Sequence, residues 1–266
     1  MDDRLRTERS RTFGDVADVY DQNRPGYPDP AVRWLAGPAS NSVLELGAGT
    51  GKLTGSLVAA GNFVVATEPA APMLAHLVAR VSTPALRCSA ERLPFRAGSF
   101  DVVVVAQAFH WFDPKAALPE IARVLRPGGH LALVWNFRAE SVPWVRRLSE
   151  IVGSEDLGAD LELDALKASR LFGVAAKAQF RFWQQLDRDG LLGLIRSRSY
   201  VAALDQAERD ELLGRVSALY DEYDNREALR LPYRTECFRA QVLKEPEPAP
   251  TAETQRDDGS VLFDFR

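Results

Sequence analysis

A chain of 266 residues, 46% hydrophobic and 26% charged, has apolar material for one large α/β domain, or for one domain plus a small cap. Its net charge of −4 and pI near 5.6 give no support for a basic nucleic-acid-binding face. Cys88 and Cys237 are far apart and belong to no CxxC or Cys/His cluster, which argues against a structural zinc or other metal site and fits a reducing cytoplasm better than a disulfide framework.

The chain starts Met1-Asp2-Asp3-Arg4, with no apolar stretch of signal-peptide length, and no segment approaches the roughly 18 apolar residues of a membrane span. The expectation is a cytoplasmic protein without a membrane partner. The arginines between Arg4 and Arg11 read as a solvated tail. Short β-branched runs then recur at Ser42–Leu46, Phe63–Thr67, Asp101–Ala106 and His130–Trp135, separated by stretches of helical periodicity. That alternation predicts βαβ units and a parallel sheet. Val102 to Val105 are all apolar, as for a central strand covered on both faces. Gly61 stands where the helix Lys52–Ala60 needs a left-handed cap, and Arg126-Pro127-Gly128-Gly129 closes a helix that begins near Pro114. Beyond Asn136 the pattern turns mostly helical, with amphipathic segments at Leu191–Ile195 and Glu208–Tyr220. Ala178–Leu186 is a candidate strand. Residues 230–243 read as a last long strand with Leu231, Tyr233, Thr235 and Cys237 on one face. Lys244 to Gly259, rich in proline and charge, reads as an exposed tail.

The chemistry concentrates in Val43-Leu44-Glu45-Leu46-Gly47-Ala48-Gly49-Thr50-Gly51-Lys52, an apolar strand, a glycine turn and the start of a helix. The spacing is G-x-G-x-G. It is not the dinucleotide pattern, because residue 52 is lysine, and it is not a P-loop. Glycines permit positive φ and close backbone approach to a ligand, and the helix N-terminus behind them favours an anion. Glu45 argues against pyrophosphate and suits a cationic group. Glu68 follows the second strand 17 residues after Gly51, where an acid accepts both ribose hydroxyls of an adenosine. The competing readings are a bare strand-to-helix turn and a solvated loop carboxylate.

These blocks resemble the class I methyltransferases, specifically the small-molecule branch often called type 11. The resemblance runs through Glu45–Gly51, Glu68-Pro69-Ala70-Ala71-Pro72-Met73-Leu74, Ala90-Glu91-Arg92-Leu93-Pro94-Phe95, Ser99–Val103 and Glu120–Gly129, with a lead-in at Tyr20–Pro28 and a weaker match at Leu231–Thr235. It implies an α/β, Rossmann-like fold: a mostly parallel seven-stranded sheet with helices on both faces and a helical cap insertion. It also implies S-adenosylmethionine as cofactor, leaving S-adenosylhomocysteine, and a small-molecule methyl acceptor. By the same resemblance, Glu45 with Gly47, Ala48, Gly49 and Gly51 holds the methionine part. Glu68 and Pro69 lie at the ribose, Met73 at the adenine, and Ser89, Ala90 and Glu91 at the adenine edge. Gln107 and Ala108 line the path to the methyl group, and Tyr20 and Arg24 form an N-terminal lid. Ser89 departs from the family, in which an aspartate commonly precedes the Ala-Glu pair.

His110, in His110-Trp111-Phe112, is placed where a general base could reach an acceptor, or where it would simply pack beside Trp111. The implied organisation is a lid and first helices (1–40), a cofactor-binding core (41–136), a substrate cap (137–228), the final strand (229–243) and a tail (244–266). The rival readings are a cofactor-binding domain without turnover that acts as a regulator or assembly partner, a nucleic-acid methyltransferase, and an NAD-linked oxidoreductase. The second lacks its Asn/Asp-Pro-Pro-Tyr/Phe motif after the fourth strand, and the third is disfavoured by the glycine spacing.

Overall fold

The computed structural model describes residues 24–154, 159–223 and 229–243. Tyr20, the rest of the lid before Arg24 and the tail from Lys244 lie outside the described residues.

In chain order the elements are α1 (Asp29–Ala36), β1 (Ser42–Leu46), α2 (Lys52–Ala59), β2 (Phe63–Thr67), α3 (Ala71–Arg80), β3 (Ala85–Leu86), β4 (Phe100–Ala106), a 3₁₀ turn (Phe109–Trp111), α4 (Pro114–Val124) and β5 (Leu125–Arg138). There follow α5 (Pro143–Val152), α6 (Ala159–Ser169), β6 (Ala176–Leu186), α7 (Arg188–Arg196), α8 (Ser199–Ala202), α9 (Gln206–Tyr223) and β7 (Leu229–Gln241). The sheet has seven strands in the order β3-β2-β1-β4-β5-β7-β6. The first five pair in parallel, and β7 runs antiparallel to both β5 and β6. Strand order reverses between β1 and β4, so the carboxyl ends of those two strands flank a topological switch point, where open α/β sheets bind ligands.

Both faces are covered, which explains the unbroken apolar run in β4. Val102, Val104, Val43 and Val134 pack under α1 and α2, while Val103, Val105, Leu44 and Leu133 pack against α4. A third core forms the cap. Leu148 and Val152 of α5, Leu194 and Ile195 of α7, and Val216 and Leu219 of α9 close over Leu231 and Tyr233 of β7. The cap rests on an extension of the sheet: β5 stays paired with β7 as far as Arg138 opposite Tyr233, and β7 continues with β6 to Leu229 opposite Leu186.

Two strands differ from the sequence pattern. β5 begins at Leu125 rather than His130, because Arg126–Gly129 stays in the ladder through a register shift opposite Phe100 and Val102. A side chain at Gly129 would lie 2.7 Å from the Asp101 carbonyl oxygen, so close backbone contact, not a free turn, accounts for that glycine. β3 has two residues, too few for any periodicity to mark.

Candidate active site

The site residues read from the sequence fall along the carboxyl edge of the sheet in spatial order: Ser89 to Glu91 after β3, Glu68 after β2, Gly47 to Gly51 after β1, and Gln107 and Ala108 after β4. The glycines of the turn all have positive φ, at 66°, 58° and 86° for Gly47, Gly49 and Gly51. Their surroundings separate them. A Cβ at Gly47 would come within 2.7 Å of the Ala108 Cβ, and one at Gly51 within 3.0 Å of Leu77. Those two let the turn press against the chain after β4 and against α3. A Cβ at Gly49 meets nothing within 4 Å, so that position faces open space.

That space is a cleft between the turn and the segment leading into α1. It is lined from Glu45 of β1 through the turn to Lys52 and Leu53 of α2, by Ala106 and Gln107 at the end of β4, and by Arg24, Pro25 and Tyr27 of the segment before α1, termed its cover below. Glu45 is buried, and Oε2 accepts a 2.6 Å hydrogen bond from the Thr54 hydroxyl of α2. Burial pushes its carboxyl up to about 8, opposed by the Thr54 bond and assisted by the nearby Glu68 carboxylate. Lys52, at the first turn of α2, is half-buried, and burial lowers its pKa. Gln107 holds φ at 54°, a left-handed conformation uncommon for a residue with a side chain, and its N–H donates to the Val134 carbonyl at 3.0 Å.

Glu68 lies beneath the turn rather than in the cleft wall. It accepts from the Gly49 N–H on Oε2 and the Ala70 N–H on Oε1, each at 2.9 Å. Burial still raises its pKa, against the opposing pull of the two N–H groups. Met73 and Ala90 are buried, while Pro69 and Ser89 are exposed. Glu91 Oε1 already accepts the Asp113 N–H at 2.9 Å, bracing the start of α4. His110 is exposed on the 3₁₀ turn, its ring 4.8 Å from that of Trp111, and is not among the residues that line the cleft. Pro25, Tyr27, Thr50, Lys52, Leu53 and Ala106 line the cleft without having been singled out as site residues from sequence. For Lys52 a signal was present, since it occupies the first helical position after the glycine turn.

The cover is pinned at two points. The Gly26 carbonyl accepts from Asn136 Nδ2 at 2.9 Å, and Asn136 Oδ1 accepts from the Thr235 hydroxyl at 2.7 Å. Arg24 reaches the cap, where its Nε donates to Ser197 Oγ at 3.1 Å and its Nη2 to the Ser197 carbonyl at 3.3 Å.

Strand order, glycine turn and acidic residues along the carboxyl edge define a Rossmann-like class I methyltransferase fold. A family model described as a methyltransferase domain matches residues 44–133. The chain is 43% identical over 239 residues to the uncharacterised methyltransferase Rv3342 of Mycobacterium tuberculosis, covering 88% of this chain and 97% of that one. It therefore belongs to the S-adenosylmethionine-dependent methyltransferase family and is a methyltransferase. In fold it is similar to a protein described as a type II methyltransferase from Anaeromyxobacter dehalogenans (24% identity, TM-score 0.63, 84% of this chain and 99% of that one). It is also similar to phosphoethanolamine N-methyltransferase 2 of Haemonchus contortus, solved with phosphomonomethylethanolamine and S-adenosylhomocysteine (19% identity, TM-score 0.52, 86% of this chain and 57% of that one). Among the described residues no helix is long and apolar enough to cross a membrane, and no cluster of three or more metal-ligating side chains occurs.

The buried Glu45 gives a pH dependence to the chain alone. The folded chain keeps this proton up to about pH 8, whereas the unfolded chain releases it near 4.5. The stability that the bound proton confers is fully present below pH 4.5 and is lost as pH rises toward 8, by an amount on the order of 4–5 kcal/mol. Urea midpoints for the ligand-free chain should fall between pH 5 and 8, and Glu45→Gln should flatten that slope. An equally steep slope in Glu45→Gln would show that the buried acid lies elsewhere.

Proposed function

We propose that this enzyme transfers the methyl group of S-adenosylmethionine to a small organic acceptor that enters beneath the cap, leaving S-adenosylhomocysteine. The observation that carries this reading is a cleft at the switch point whose cover is tied to the cap through Arg24 and Ser197, which suits an enclosed acceptor rather than a polymer. The net charge of −4, and Gln107-Ala108-Phe109-His110 after β4 in place of the amino-group nucleic-acid motif, support the same reading. Cytoplasmic residence belongs to this reading too.

The residues suit the cofactor. Open space at Gly49 admits a ligand against the backbone of the turn. Glu45 lines the cleft as a neutral acid at pH 7 and would release its proton to solvent when a cationic group is placed beside it, so affinity should rise with pH. Arg24 and Lys52 supply cations for a carboxylate. The Glu68 carboxylate, with lone pairs beyond those used by Gly49 and Ala70, accepts the ribose hydroxyls. Met73 and Ala90 offer buried apolar contacts to the adenine, and Ser89 and Glu91 lie at its edge, where the neutral serine leaves recognition more to backbone groups.

When bound, S-adenosylmethionine supplies an electrophilic methyl on a sulfonium centre. The chain supplies geometry: Gln107 and Ala108 flank the line of approach, and the cap excludes water. We assign His110 to packing against Trp111, because it lies outside the walls of the cleft. Incubation with isotopically methyl-labelled S-adenosylmethionine and a metabolite extract should place label in a low-molecular-weight product. Label confined to nucleic acid or protein would contradict the small-acceptor reading. Absence of any labelled product from a chain that binds S-adenosylhomocysteine would favour a binding domain.

A further inference from the structure

We infer that Ser197 is a positioning residue through which the cap sets the affinity of the cofactor cleft. Arg24 is in the cover of the cleft, and the two hydrogen bonds at 3.1 and 3.3 Å attach its guanidinium to the hydroxyl and carbonyl of this one residue, 173 positions away. The direction of the hydroxyl bond is fixed. Ser197 Oγ spends its single hydrogen on the Leu194 carbonyl at 2.6 Å, so only lone pairs remain to face Arg24. Ser197 is buried at the C-terminal cap of α7, where its own N–H bonds the Gly193 carbonyl. The exposed carbonyls of a helix C-terminus carry partial negative charge, which suits a guanidinium.

Neither end of this latch is loose. Leu191, Leu194 and Ile195 anchor α7 in the cap core, against α5, α9 and β7. Gly26, two residues from Arg24, is held to the sheet by Asn136. The cover therefore spans from a fixed point on the sheet to a fixed point on the cap, with the cleft beneath it. A shift of α7 moves Arg24 over the cleft, and a ligand that draws on Arg24 pulls on α7. By linkage, whatever settles the cap in the latched position raises cofactor affinity, and the cofactor favours that cap position equally.

This inference rests on the cofactor reading above, so the test has one measurement that needs no ligand. In ligand-free protein, amide hydrogen exchange of peptides covering residues 24–36 should be faster in Ser197→Ala than in the parent, and near the parent in Ser197→Thr, which keeps the acceptor. Calorimetry with S-adenosylhomocysteine should show roughly three- to tenfold weaker binding for Ser197→Ala and recovery in Ser197→Thr. In an Arg24→Ala background, Ser197→Ala should add nothing further. Unchanged exchange at 24–36, or losses from Arg24→Ala and Ser197→Ala that simply multiply, would overturn the latch. Failure of the parent protein to bind S-adenosylhomocysteine, with exchange responding as described, would instead overturn the cofactor reading and leave the latch standing as the link between cap and cleft.

Discussion

Gly49→Val should abolish cofactor binding while leaving a folded protein. At φ 58° the valine adopts a conformation that β-branched residues rarely take, costing on the order of 1–3 kcal/mol. The protein itself has room for the new atoms, since a Cβ there has no neighbour within 4 Å. The side chain therefore projects into the space assigned to the cofactor, and the expected loss of S-adenosylhomocysteine affinity is on the order of 100-fold or more, with only a modest fall in Tm. Gly47→Ala makes the informative contrast. Its methyl would meet Ala108 at 2.7 Å, so its main effect should be on stability. A folded Gly49→Val variant with unchanged affinity would show that the cleft is not the cofactor site.

Glu68→Ala should weaken S-adenosylhomocysteine binding by roughly 30-fold or more, since losing charge-assisted bonds to two hydroxyls costs about 2–4 kcal/mol. The variant also strips the Gly49 and Ala70 N–H groups of their acceptor, so part of any loss could come from a loosened turn. A cofactor analogue separates the two causes. S-adenosylhomocysteine lacking the 2′- and 3′-hydroxyls should bind the parent protein much more weakly than the intact compound does, while Glu68→Ala should barely distinguish them. If the variant still prefers the intact compound by the full parental ratio, Glu68 braces the turn and the ribose is held elsewhere.

The glycine turn and Glu68 were legible because both are local signals: a run of residue types with one backbone requirement, and an acid at the end of an apolar strand. The parallel core was legible for the same reason, with β1 and β2 falling at Ser42–Leu46 and Phe63–Thr67 as the β-branched runs indicated. What escaped was non-local. The bond from Gly49 to Glu68 joins residues 19 apart, and that from Arg24 to Ser197 joins residues 173 apart. No periodicity encodes such pairings, which arise only when β1 and β2 lie side by side and the end of α7 meets the segment that precedes α1. β3 was invisible because its two residues borrow their strand geometry from β2. The family pattern at Ala90-Glu91 implies an adenine edge, and the bond from Asp113 N–H to Glu91 gives that carboxylate a structural duty that no sequence pattern indicated.

Isothermal calorimetry of the parent protein tests the central claim most directly. The cleft, its buried acid and the carboxylate beneath the turn call for S-adenosylhomocysteine to bind at one site per chain, with affinity rising from pH 6 toward pH 8 as Glu45 gives up its proton more readily. NAD and ATP should show no comparable binding. Preferential binding of NAD, or saturable binding of S-adenosylhomocysteine that survives Gly49→Val undiminished, would contradict the account.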